Sequence, residues 1–168
     1  MKLIVKQGMH GRGAFAGEPI GSGTLILQFS GPFLHYRETS ADTLALQIGP
    51  DLYIGASGGP DDFVNHSCDP NAGVRIEGTT AKLFAIRAVA TGEEILFDYS
   101  TILDEDDFTM SCLCGSPACR NTITDGKYLP DEVWSRYESL GILPEYVRRS
   151  REERRRSGLR PGTSASAS

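Results

Sequence analysis

At 168 residues the chain has room for one domain with a sizeable core and a short appendage. Nineteen Gly and nine Pro argue against a helix bundle, and no run approaches the roughly 18 consecutive apolar residues of a membrane-spanning helix. The net charge of −5 argues against nucleic-acid binding by the surface as a whole.

The opening MKLIVKQGMHGRG has no apolar run and no small-residue cleavage site, so a secretory leader is not expected. Leu3 to Lys6 reads as a strand, Gly11-Arg12-Gly13 as a turn, and Glu18 to Gly23 as another turn. Thr24 to Phe29 reads as a buried strand closed by Ser30-Gly31-Pro32. Residues 33–47 are ambiguous, with Thr43 to Gln47 either strand or helical turn. Leu52 to Ile54 is a strand before the loop Gly55–Pro60. Val74 to Ile76 and Ala81 to Ala88 form a hairpin, and Ile95 to Tyr99 a strand after the turn Thr91–Glu94. Beyond Thr101 an acidic run, Asp104 to Asp107, precedes three closely spaced cysteines. A helix follows from Pro130 to about Leu140, with Asp131 as N-cap and Trp134, Tyr137 and Leu140 on its packing stripe. A second helix runs from Pro144 to about Ser157, and the tail RPGTSASAS reads as disordered. Seven arginines and three glutamates fall between residues 145 and 160, so the remainder is strongly acidic and suits a basic partner. The arginine-rich segment reads as a solvated helix with Glu–Arg pairing.

Two motifs mislead. Gly11-Arg12-Gly13-Ala14-Phe15-Ala16 matches a dinucleotide-binding glycine pattern, but the Gly and Pro residues that follow forbid the helix this site needs. Gly55-Ala56-Ser57-Gly58-Gly59 matches a nucleophile elbow, yet Gly58-Gly59-Pro60 is a poor helix start, so a hydrolase using Ser57 is a distant alternative.

All four cysteines need one explanation. Cys112, Cys114 and Cys119 form C-x-C-x4-C, and Cys68 lies 44 residues upstream of the first. Four thiolates satisfy one tetrahedral zinc ion. Disulfides would include a strained Cys112–Cys114 bridge or one of two other pairings, and four free thiols are the remaining alternative. Zinc accounts best for three thiols within eight residues, and it would bring the Cys68 region against the C-terminal segment.

Phe63-Val64-Asn65-His66-Ser67-Cys68-Asp69-Pro70-Asn71 resembles the central signature of SET-domain protein lysine methyltransferases. Gly92-Glu93-Glu94-Ile95-Leu96-Phe97-Asp98-Tyr99 resembles their second signature, Cys112–Cys119 their post-SET zinc motif, and Gly11–Ala16 their N-terminal glycine motif. The four motifs stand in the family's order over residues 1–122. The resemblance implies a mainly β (α+β) SET fold with a pseudoknot, a C-terminal zinc knuckle and C-terminal helices. The implied division is a SET domain over 1–101, a post-SET knuckle over 108–122, a helical extension over 123–157 and a tail over 158–168. It implies S-adenosylmethionine as methyl donor, one structural zinc on Cys68, Cys112, Cys114 and Cys119, and a protein lysine as acceptor.

By the same resemblance Tyr99 is the catalytic tyrosine. Arg12, Gly13, Asn65, His66 and Leu113 hold the donor, and Phe29, Phe97 and Tyr99 line the lysine channel. A Phe at position 97, rather than Tyr, leaves room for a di- or trimethylated amine. One departure stands out: Phe29-Ser30-Gly31-Pro32 replaces the family's usual Tyr-x-Gly with a following acid. That departure motivates a second reading, a silent SET-like module that holds peptide or donor without transfer. The expected partner is a lysine-bearing basic protein such as a histone tail. No membrane and no direct nucleic-acid contact are expected. The expected location is intracellular, cytoplasmic in a bacterium and nuclear or chromatin-associated in a eukaryote.

Overall fold

A computed structural model describes residues 2–8, 11–40, 44–106 and 108–158. It contains twelve short strands and two helices. The strands are β1 (Leu3–Gly8), β2 (Gly11–Ala16), β3 (Leu25–Gln28), β4 (Phe33–Leu34), β5 (Leu46–Gly49), β6 (Leu52–Ile54), β7 (Asn65–His66), β8 (Ala72–Glu77), β9 (Thr80–Ala85), β10 (Leu96–Phe97), β11 (Met110–Ser111) and β12 (Thr122–Ile123). The helices are α1 (Asp131–Ser139) and α2 (Glu145–Arg156). Of the tail assigned to 158–168, only Gly158 falls within the described residues.

Five small sheets result: β1-β2, β3-β9-β8, β4-β6-β5, β11-β12, and the parallel pair β10-β7. The longest ladder, β8 with β9, runs from Ala72↔Ala85 to Glu77↔Thr80. Its turn is made by Gly78 at φ 60°, a left-handed conformation that a side chain resists. Ala14, Ala16, Ala72, Val74, Ala81, Leu83 and Ile95 are fully withdrawn from water in the core between the sheets. The alternation along β9, where Ala81, Leu83 and Ala85 are buried and their neighbours less so, is the two-residue period of a strand with one wet face.

Three expectations need correction. Gly11-Arg12-Gly13 is not a turn but the first half of β2, where Gly13 pairs with Lys6. The Ile95–Tyr99 strand shrinks to Leu96–Phe97, because Tyr99 begins a 3-10 turn capped by the Asp98 carboxylate, which accepts from Ser100 N at 3.1 Å. The N-cap of α1 is Pro130, and Asp131 instead accepts from Arg151 and Arg155 of α2.

The helices carry their own apolar cluster. Trp134 and Tyr137 of α1 are buried with Leu129, Ile142, Leu143 and Val147, while Leu140 packs only at the edge. The Arg151 guanidinium covers the Trp134 ring at 4.3 Å. Gly126 is where this cluster meets the body. A Cβ there would stand 2.5 Å from the Ser100 carbonyl oxygen and 2.5 Å from Val147 Cγ1. Backbone cannot yield as a flexible side chain would, so Gly126→Ala is expected to destabilise by about 2 kcal/mol. A lowered urea midpoint at unchanged slope checks this.

Candidate active site and thiol cluster

Pairing of β7 with β10 aligns Asn65 with Leu96 and His66 with Phe97, so the two signature segments lie side by side. Asn71 fixes that pairing. Its Nδ2 donates to Glu94 O at 2.7 Å and to Glu93 Oε1 at 3.0 Å, and its Oδ1 accepts from Leu96 N at 2.9 Å. Tyr99, just past β10, turns its ring against His66 (centroids 5.3 Å apart) and Phe97 (4.8 Å). Its hydroxyl donates to Val64 O at 3.0 Å. Burial, with Glu94 nearby, raises the Tyr99 pKa to about 12, so the phenol keeps its proton at neutral pH.

A cavity of about 630 Å³ opens onto Tyr99. Phe29 and Phe97 share its wall, edge to face at 6.2 Å. Tyr36, Tyr53, Ile54 and Leu103 line it further out. Tyr99 lines it too, with its hydroxyl held on Val64 O, whereas position 29 carries no hydroxyl. Arg12, Gly13 and Asn65 lie outside this cavity. Asn65 Nδ2 donates to Arg12 O at 3.0 Å and Glu94 Oε1 at 2.8 Å. Both partners are acceptors, which fixes the amide orientation and leaves its carbonyl oxygen as the atom Asn65 can offer elsewhere. Gly13 permits this approach, since a Cβ there would come within 2.2 Å of Glu94 Oε1. The Arg12 guanidinium lies over the Phe63 ring at 4.1 Å. Leu113 is 75% exposed on the knuckle.

The fold brings the distant thiols together. Ligand atoms of His66, Cys68, Cys112 and Cys114 lie within 4.8 Å of one another. Cys119 falls outside that set of four but packs on the same cluster, and its Sγ lies 3.7 Å from Cys112 O. None of the four cysteines is in a disulfide. The histidine can be told apart from the thiols by its hydrogen bonds. His66 Nδ1 accepts from Tyr99 N at 3.1 Å, so the neutral ring carries its proton on Nε2, 3.3 Å from Cys68 Sγ. Burial holds the imidazole neutral, with a pKa lowered to about 4 against the opposing pull of Asp98. His66 therefore donates to the Cys68 sulfur and has no lone pair left for an ion. Burial works against a thiolate at Cys114, but backbone hydrogen bonds and the neighbouring thiols outweigh it and bring its pKa to about 7. Burial pushes the Cys68 and Cys112 thiols up instead, so what fits the cluster to a thiophilic divalent cation is the convergence of its sulfurs.

Beneath both regions lies Asp98, 1% exposed. It accepts from Tyr137 Oη at 2.9 Å and from Arg120 Nη2 at 2.8 Å, with Arg120 Nη1 a further 2.7 Å ion-pair contact. Arg120 follows the last cysteine and its N–H reaches Cys68 Sγ at 3.4 Å. Neither Arg120 nor Tyr137 was marked as functional by sequence. The one available sign was a carboxylate in an apolar strand, Phe97-Asp98-Tyr99, which demands a cationic partner somewhere. Ser57 has no histidine beside it. Its hydroxyl donates to Asp61 at 2.6 Å and accepts from Gly59 N at 2.8 Å, a loop-bracing role that removes the hydrolase reading. Among the described residues no helix is long and apolar enough to cross a membrane.

Comparison with known proteins agrees with this geometry. The SET domain model matches residues 11–100. The chain is 32% identical over 139 residues to the histone-lysine N-methyltransferase ATX2 of Arabidopsis thaliana, covering 71% of this chain and 13% of that protein. It is 30% identical over 129 residues to the H3 lysine-4 specific histone-lysine N-methyltransferase of Schizosaccharomyces pombe, covering 67% and 14%. The chain thus spans about one seventh of the length of these relatives. Among solved structures, KRYPTONITE in complex with mCHH DNA, H3(1-15) peptide and SAH superposes with a TM-score of 0.61 at 22% identity, over 73% of this chain and 29% of that one. The mainly β architecture, the adjoining signature segments and the match over residues 11–100 agree: the chain belongs to the SET-domain family.

Proposed function

We propose that this chain is an S-adenosylmethionine-dependent protein lysine N-methyltransferase whose acceptor is a lysine in a histone or similarly basic protein. The observation that carries the reading is the Tyr99 hydroxyl, protonated and held on Val64 O, on a buried residue that lines one cavity with Phe29 and Phe97. The names of the relatives and the SAH in the superposed structure support the same reading. Residues 1–101 form the transferase body, 108–122 the knuckle, and 123–157 a supporting extension.

Arg12 and Gly13 with their main chain, Asn65 with its amide carbonyl, and His66 would hold the donor, with Leu113 covering its adenine. That group supplies an electrophilic sulfonium methyl. The chain's own task begins with the acceptor. A lysine amine has a pKa near 10.4, so neutralising it at pH 7 costs about 4.6 kcal/mol. An aromatic channel that excludes water lowers that cost. The Tyr99 hydroxyl, anchored on Val64 O, then orients the neutral amine, and alignment supplies most of the remainder. Positions 29 and 97, the two rings beside Tyr99, carry no hydroxyl to hold a water against the amine, which favours di- or trimethylation.

Structural zinc belongs to the same reading, with Cys68, Cys112, Cys114 and Cys119 as thiolate ligands and His66 donating to Cys68. Because the other nitrogen of His66 accepts from Tyr99 N, the metal site also steadies the catalytic residue. Four of the six arginines of α2 are paired with carboxylates, Arg149 with Glu145 and Arg156 with Glu152 in the same helix and Arg151 and Arg155 with Asp131, which supports a solvated helix rather than a nucleic-acid contact.

Three outcomes are expected. Tyr99→Phe lowers methyl transfer at least about a hundredfold while retaining SAH affinity by calorimetry. Full activity in that variant would overturn the reading. The rate should climb from pH 7 to 10 as the acceptor amine loses its proton, with no falling limb from Tyr99, whose pKa lies near 12. Elemental analysis should find about one zinc per chain, lost in Cys119→Ser and kept in His66→Gln, with thermal stability falling alongside the metal.

A further inference from the structure

The acidic run after Thr101 is held in an unexpected way. Lys127 is only 7% exposed and reaches Asp104 at 3.0 Å, Asp106 at 2.5 Å and Asp125 at 3.5 Å. The buried Asp125 carboxylate accepts from the main-chain N–H of Glu105 at 3.1 Å and of Asp106 at 2.7 Å. Gly126 N donates to Leu103 O at 2.9 Å, Tyr146 Oη to Ile102 O at 2.5 Å, and Ser150 Oγ to Asp104 at 2.7 Å. Every one of these donors and acceptors opposite the run comes from residues 123–157, beyond the SET match at 11–100. The extension thus grips residues 102–106 and neutralises Asp104 and Asp106 with one buried ammonium.

Glu105 is held by another residue, Tyr53. It lines the same cavity as Tyr99, and its Oε1 accepts from the Tyr53 hydroxyl at 2.7 Å. Burial, reinforced by Glu105, raises the Tyr53 pKa, so that phenol remains a donor and aims the carboxylate. The other acids of the cavity wall, Asp61 and Asp62, are engaged in bracing the Ser57 loop through Ser30, Ser57 and Gly58. Against three wall carboxylates stands one guanidinium, Arg37.

We propose that Glu105 is a specificity-determining residue that pairs with a cationic side chain, Lys or Arg, beside the target lysine, and that the 123–157 extension presents it to the groove. This rests on the transferase reading only for the identity of the target. The groove selects by charge because an ion pair at its part-desolvated wall gains more than one in open water, and a neutral or acidic neighbour forfeits it.

Binding separates the inference from catalysis. Fluorescence anisotropy would compare two labelled peptides, each with one lysine, carrying Arg or Ala at the adjacent position. Wild-type protein should favour the Arg peptide roughly tenfold, the scale of a part-buried pair, with the preference shrinking in high salt. Glu105→Gln, of the same shape, should reduce it to less than about threefold by weakening the Arg peptide alone, with SAH affinity unchanged. Tyr146→Phe, which loosens the grip on Ile102, should reduce the preference partway. Equal discrimination in wild type and Glu105→Gln, or none in wild type, overturns the proposal. Discrimination by binding with no methyl transfer to either peptide would support the role of Glu105 and sink the transferase reading instead.

Discussion

A carboxylate withdrawn from water must be met from several sides, and Asp98 is met by groups from the three parts of the chain. Ser100 N comes from its own turn, Arg120 from the end of the cysteine knuckle, and Tyr137 from the middle of α1. An uncompensated buried charge costs several kcal/mol, so each partner is obligatory once Asp98 is placed in the core. Placement is in turn forced, because Asp98 separates Phe97, which pairs with His66, from Tyr99, whose N–H is bound by the same imidazole. Tyr99, the thiol cluster and the C-terminal helices are therefore tied to one buried carboxylate and its partners.

Around that anchor the molecule divides polar labour between two faces of Tyr99. One face is built from main chain and amide, with Asn65, Arg12 and Glu94 in a closed set of hydrogen bonds. The other is aromatic, Phe29 and Phe97, and ends outward in carboxylates. The departure at position 29 fits here. Phe29 packs edge to face on Phe97 and is 7% exposed, so the lost hydroxyl leaves no unsatisfied partner behind.

The sequence was legible wherever a local pattern decides structure. Both helices, the β8–β9 hairpin, the strand within Thr24–Phe29 and the convergence of Cys68 on the knuckle could be read from period, turn residues and motif. Legibility failed where long-range partners override local preference. Gly11-Arg12-Gly13 reads as a turn but is recruited into β2 by six-residue pairing with β1. Asp131 has the chemistry of an N-cap, yet two arginines twenty or more residues away claim its oxygens. Nothing in the composition of the acidic run announces Lys127 as the partner of Asp104 and Asp106. The Asp98–Arg120–Tyr137 set was invisible for the same reason, since its members are far apart in sequence and each is unremarkable alone.

The grip on residues 102–106 also orders events in time. Cys119 and Arg120 come late in the chain, and Tyr146 and Ser150, in the first half of α2, are made later still. During synthesis the two signature segments leave the ribosome long before the residues that brace Tyr99 and the groove. A nascent chain that has emerged only to Tyr99 holds the whole of both motifs without the partners that fix their geometry. A chain cut before Arg120 keeps both signature segments but lacks Arg120 and Tyr137, which meet Asp98, and Lys127, which meets Asp104 and Asp106.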